Sequence, residues 1–151
     1  MSLVDLILAI AHHLLAFSLA AVIAVEAVLV WRLPSHDALK LLAGVDRIFG
    51  ILALSIIIIG IGRVVFGPKG WQFYVDNPVF WAKMAAFLMV GLLSILPTMR
   101  FLQWSRAASA DPAYKVPMAE LVSVRRFVRW EIVFFAMIPV FAAAMARGYG
   151  Y

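Results

Sequence analysis

Nine ionisable side chains sit within or beside long apolar stretches of this chain: His12, His13, Glu26, Asp46, Arg47, Arg63, Lys83, Arg129 and Glu131. Such groups are costly inside hydrocarbon, so each is a functional hypothesis by default. They divide into two groups by depth. His12, His13, Arg63 and Lys83 fall at one level. Neutral imidazole is the usual axial ligand of haem iron, and Arg or Lys suits porphyrin propionates. Glu26, Asp46, Arg47, Arg129 and Glu131 fall at the other level. Acids and bases at matching depth suit structural ion pairs, or else a polar track through the interior.

Each group also has a plainer reading. Arg63 and Lys83 read as ordinary interface anchors that snorkel out of the apolar layer. A histidine reads equally as an imidazole hydrogen-bonded to a neighbouring helix. For Glu26 the ion pair is the preferred reading, with Arg47 or Arg129 as partner. Its side chain is too short to snorkel, and Trp31 and Arg32 form a better interface anchor further along.

Helix phase narrows the histidines. His12 and Glu26 are 14 residues apart, about 1400° of rotation and so roughly 40° from eclipsed. They share one face. His13 is turned about 100° from His12, which makes His12 the better candidate for an interior position. The only other histidine is His36, in a linker. Adjacent histidines diverge too far to take both axial positions of one iron. A haem would need one His with Lys83 or Met84, an open site, or a second chain. Three histidines at these positions do not converge on zinc or copper, and the absence of cysteine excludes thiolate metal sites, iron–sulfur clusters and disulfides. No metal site is expected, and these residues alone assign no catalytic role, leaving open whether the chain is an enzyme.

The elements that carry these groups are long and apolar. The chain has 151 residues, 66% hydrophobic and only 14% charged. Soluble domains sit nearer about one half hydrophobic. A bilayer core of roughly 30 Å needs about 20 helical residues, and four stretches meet that need, at residues 3–31, 38–66, 78–104 and 118–147. The expectation is a single all-α membrane domain over residues 1–151, an antiparallel four-helix transmembrane bundle. Pro34, Pro68, Pro78, Pro112 and Pro117 fall in loops or at helix starts, while Pro97 and Pro139 lie inside spans and should kink them. The first stretch lacks a basic region before it and is long for a signal peptide, so it is expected to stay as a helix.

The linker of residues 67–77, with Trp71, Phe73 and Tyr74, is expected to form a short ordered cap at the interface. The polar linker 106–117 reads as the most mobile segment. Ala20, Ala21, Ala24, Gly60, Gly62 and the run Ala142–Ala144 offer small surfaces for close helix packing or for a partner subunit.

Basic residues set the orientation. The linkers after spans one and three hold Arg32, Lys40, Arg47, Arg100, Arg106, Lys115, Arg125, Arg126 and Arg129. The opposite side holds Arg63, Lys69, Lys83 and Arg147, so the balance is 9 to 4. The positive-inside rule then puts both termini outside the cytoplasm, on the periplasmic face of a bacterial inner membrane. The net charge of +5 reads as topology signal and contact with anionic headgroups rather than as nucleic-acid binding.

Several runs resemble a family of predicted bacterial membrane proteins, the domain of unknown function 2214. They are Gly62-Arg63-Val64-Val65-Phe66-Gly67 with Lys69-Gly70, Phe73-Tyr74, Asn77-Pro78-Val79-Phe80-Trp81-Ala82-Lys83, Gly91-Leu92-Leu93-Ser94, Pro97-Thr98 and Phe101-Leu102-Gln103-Trp104, together with Ala11-His12-His13-Leu14 and Glu26. That resemblance covers nearly the whole chain and brings no activity with it. A histidine early in span one and Trp81-Ala82-Lys83-Met84 opening span three are similar to the copper-resistance D proteins and the J-type protoporphyrinogen oxidases. In the oxidases the corresponding histidine and lysine are linked to haem or porphyrin. The resemblance implies His12 or His13, with Lys83, at such a site.

The resulting expectation is a bilayer protein that binds a b-type haem or porphyrin in a redox role, with His12 or His13 as ligand and Lys83 and Arg63 beside it. The competing expectation is a non-catalytic accessory subunit, without a cofactor, in a homo-oligomer or a larger membrane complex. A transporter ranks third.

Overall fold

The computed structural model describes residues 3–32 and 34–150. The expected domain bounds at residues 1 and 151 lie outside the described residues. The fold is all-α. Four long helices, α1 (Leu3–Trp31), α2 (His36–Phe66), α4 (Pro78–Ala110) and α5 (Met118–Ala146), run up and down, and a short α3 (Gly70–Val75) caps the turn between α2 and α4. Each long helix is apolar and long enough to cross a membrane. α1 packs against α2 and α5, and α4 packs against α2 and α5. The bundle therefore has a terminal end, with both chain termini and α3, and a turn end, with the α1–α2 and α4–α5 connections.

Local chemistry sets the helix ends. Ser35 caps α2, its hydroxyl accepting from the Ala38 N–H at 3.3 Å. Asn77 caps α4, its side-chain oxygen accepting from the Val79 N–H at 2.8 Å, and Pro78 takes the first helical position. Asp111 and Pro112 stop α4, with the Asp111 carboxyl accepting from Ala113 N–H. α4 runs past the expected end at Trp104 because its last turns are rich in alanine and Ala108 is buried against the core. Residues 106–110 of the segment expected to be most mobile are therefore helix, and 111–117 form the connection. Pro97 and Pro139 are accommodated inside continuous helices.

Interior contacts form two cores. At the turn end, Val30, Leu39, Leu42, Phe101, Trp104, Leu121, Val124 and Val128 are buried together. Toward the termini, Leu19, Ile23, Phe49, Ile56 and Val90 form the second core. The outward faces are also apolar: Ile51, Leu54, Ile58, Leu88, Leu92, Ile95 and Val140 are exposed on the isolated chain. A helix that is hydrophobic all round belongs in lipid.

Candidate functional site

At the terminal end, α1, α2 and α4 bring three chemically capable side chains together. His12 is half-buried, and Arg63 and Lys83 are close enough to act on it electrostatically. Two glycines of α2 lie where α1 approaches it. A Cβ at Gly60 would lie 3.7 Å from the His12 ring, and one at Gly62 would lie 3.4 Å from Leu8. The imidazole therefore packs beside the α2 backbone at a distance that a methyl group would just fill. The His12 Nδ1 and the Arg63 Nε are buried without a hydrogen-bond partner. Lys83 also lies over the Phe80 ring, 5.4 Å from its centroid.

His13 meets the His12 ring edge to face, with centroids 6.4 Å apart, but lies on the outer side of α1. It is exposed, and its Nδ1 lies 2.6 Å from the carbonyl oxygen of Ala9, one turn earlier in the same helix. His36 begins α2 at the opposite end of the bundle. His12 is therefore the histidine that joins Arg63 and Lys83.

Nearer the turn end the acids and bases separate. Glu26, Asp46 and Glu131 are buried, from α1, α2 and α5 respectively, and Asp46 is near enough to act electrostatically on both glutamates. The hydroxyl of Thr98, from α4, donates to Asp46 Oδ1 at 2.7 Å. One carboxyl oxygen of Glu26 and one of Glu131 have no partner. Arg47 and Arg129 are exposed. The expected pairing of Glu26 with Arg47 or Arg129 is not formed. Among the described residues the one salt bridge is Arg100–Glu120, at 3.2 Å.

The reason is helix phase. Arg47 follows Asp46 by one position, about 100° round the helix. Arg129 precedes Glu131 by two positions, about 200°. When the acids face inward, the arginines face outward. Depth was matched, but direction was not. Among the described residues no three His, Asp or Glu side chains are grouped so as to hold a metal ion.

Two polar links escaped the sequence reading. Arg125 reaches from α5 to the end of α1, where its Nε donates to Val30 O at 2.9 Å and its Nη2 to Trp31 O at 3.1 Å. These carbonyls have no partner within their own helix. Trp104 Nε1 donates to Glu120 Oε2 at 2.8 Å. Thr98 was also missed as a partner of Asp46. Its position directly after Pro97, within an apolar span, was the available signal.

An all-α bundle of four span-length apolar helices, with ionisable groups held between them, defines a multi-pass membrane protein. The chain belongs to the family described as "Predicted membrane protein (DUF2214)", whose model matches residues 4–150. No curated protein and no solved structure matches the chain.

Proposed function

We propose that this membrane protein binds a b-type haem or a porphyrin at the terminal end of the bundle and serves a redox role. The observation that carries the reading is His12. It is the inward-facing histidine, it has a free ring nitrogen, and two cations lie beside it. The donor set fits such a group. The His12 imidazole would ligate the iron, Arg63 would pair with a propionate, and Lys83 would serve as a second partner or ligand. When bound, the group would supply one-electron chemistry. The chain's own part is to orient the imidazole against Gly60, to hold the cations at that level and to exclude water. The 9-to-4 balance of basic residues supports termini on the periplasmic face of a bacterial inner membrane.

The test is an absorption spectrum of protein purified from haem-replete cells. A Soret band with reducible α and β bands is expected. His12→Ala should abolish it, while His13→Ala should leave it in place, with far-UV circular dichroism unchanged in both variants. A colourless, folded wild-type protein would overturn the reading and put the accessory-subunit role first.

A further inference from the structure

A groove of about 540 Å³ runs between α2 and α4, and nothing in the haem reading uses it. The hydrogen bond from Thr98 to Asp46 sets the register of its two walls. From Asp46 the α2 wall runs through Gly50 and Leu54 to Ile57, and from Thr98 the antiparallel α4 wall runs back through Gly91 to Phe87. Each wall advances 11 residues, so the groove is about 16 Å long. One leaflet, half of a hydrocarbon core of roughly 30 Å, is as deep. A Cβ at Gly50 or at Gly91 would meet nothing within 4 Å, so these two glycines leave the groove open rather than serving helix contact. Leu54 and Ile57 are exposed beside it, so its open side faces the acyl chains of the bilayer.

The charges of the lining are confined to one end. Asp46 and Arg47 both line the groove there, and the walls beyond them toward the terminal end carry no charge. Thr98 occupies one carboxyl oxygen of Asp46, and the other takes no hydrogen bond among the described residues. Arg47 is exposed and belongs to no salt bridge among the described residues. Arg100, two positions beyond Thr98 on α4, adds a second base at this end, as suits the headgroup level of a membrane. The groove thus joins an apolar channel one leaflet deep to an acid and a base that are not paired with each other.

We infer that the α2–α4 groove holds one zwitterionic phospholipid with a primary amine, a phosphatidylethanolamine. One acyl chain lies between Gly50 and Gly91, the ammonium group donates to Asp46, and the phosphate rests on Arg47. Length and charge together select the occupant. A neutral apolar molecule would fill the walls and leave Asp46 and Arg47 unmatched. An anionic phospholipid would match Arg47 and leave Asp46 without a donor, and a cationic amphiphile would do the reverse.

The experiment is native mass spectrometry of the delipidated full chain in detergent, titrated with phosphatidylethanolamine or phosphatidylglycerol of identical acyl chains. A single saturable adduct of phosphatidylethanolamine is expected, at least about tenfold tighter than that of phosphatidylglycerol, because a charge-assisted hydrogen bond is gained. Asp46→Asn should erase that preference, and Arg47→Gln should weaken both lipids. Gly91→Leu, which fills the groove from an exposed position, should remove the adduct while far-UV circular dichroism stays unchanged. Arg47→Gln and Gly91→Leu decide the matter if Asp46→Asn fails to fold. No stoichiometric adduct, equal or tighter binding of phosphatidylglycerol, or full binding by both Arg47→Gln and Gly91→Leu would overturn the inference. A dimer that excludes lipid and is lost in Gly91→Leu would also overturn it, by giving the groove to a second copy of the chain.

Discussion

The turn end and the terminal half of this bundle are held together by different forces. At the turn end, Phe101, Trp104, Leu121 and Val124 form a fully buried core, and polar links tie it across helices: Arg125 to the end of α1, and Glu120 to both Trp104 and Arg100. Around it the outer surface carries Lys40, Arg106, Arg126 and Arg129. In the terminal half, Leu19, Ile23, Ile56 and Val90 pack with exposed apolar residues all round them. The exposed Arg47 and Arg129 mark the level between the two. With the membrane surface at that level, water would supply a hydrophobic driving force below it. Above it lipid is as apolar as leucine, and close packing has to serve instead.

The largest expected effect separates these regimes with one chemistry. Leu121→Ala, in the turn-end core, should cost about 3–5 kcal/mol, because it loses transfer free energy and also leaves a cavity. Leu19→Ala, equally buried but in the terminal half, should cost roughly half as much, because lipid replaces water as the reference and mainly the cavity term remains. Denaturant unfolding in detergent, followed by far-UV circular dichroism, measures both. Equal losses would break the comparison and put the turn-end core inside the bilayer.

A smaller effect is expected from the link that joins α5 to α1. Arg125→Ala removes two charge-assisted hydrogen bonds to the Val30 and Trp31 carbonyls, worth about 1.5–3 kcal/mol. Amide exchange should speed up selectively in the last turn of α1. The exposed neighbour Arg126→Ala is the control and should change neither quantity. Smaller again is Glu120→Gln. It loses the half-exposed pair with Arg100, at a cost of roughly 0–1 kcal/mol, and can still accept from Trp104.

What was legible in the sequence follows the same division. The apolar stretches, with Pro78 and Pro117 at helix starts, located three of the four long helices closely. The end of α4 was obscured because Ser105, Arg106 and Ser109 read as a linker, while the burial of Ala108 depends on α5 lying over it. At the candidate site, the face shared by His12 and Glu26 pointed His12 inward, and matching depth pointed Arg63 and Lys83 toward it. The acids were misjudged because their partners were sought by depth alone. The spacings Asp46-Arg47 and Arg129-Glu131 already put each base on a different face from its acid. Whether a groove opens between α2 and α4 depends on how closely two helices approach, which no local pattern encodes.

The smallest expected effect is the sharpest test of the buried acids. If Glu26 were held by a basic partner, Glu26→Gln would strand a buried cation and cost about 3–5 kcal/mol. Among the described residues Glu26 forms no salt bridge, and Asp46 and Glu131 act on it electrostatically. Glutamine keeps the shape, removes one acid from a group of three, and brings an amide N–H₂ that can donate to a nearby carboxyl group. Glu26→Gln is therefore expected to lie within about 1 kcal/mol of the parent, or to be more stable, the size of change typical of a substitution that breaks no interaction. Arg47→Gln and Arg129→Gln should be equally mild, and combining either with Glu26→Gln should show no coupling in a double-mutant cycle. A coupling of several kcal/mol between Glu26 and either arginine would mean that the acids and bases pair inside the bundle. The level that Arg47 and Arg129 mark would then lose its meaning as the boundary between the two cores.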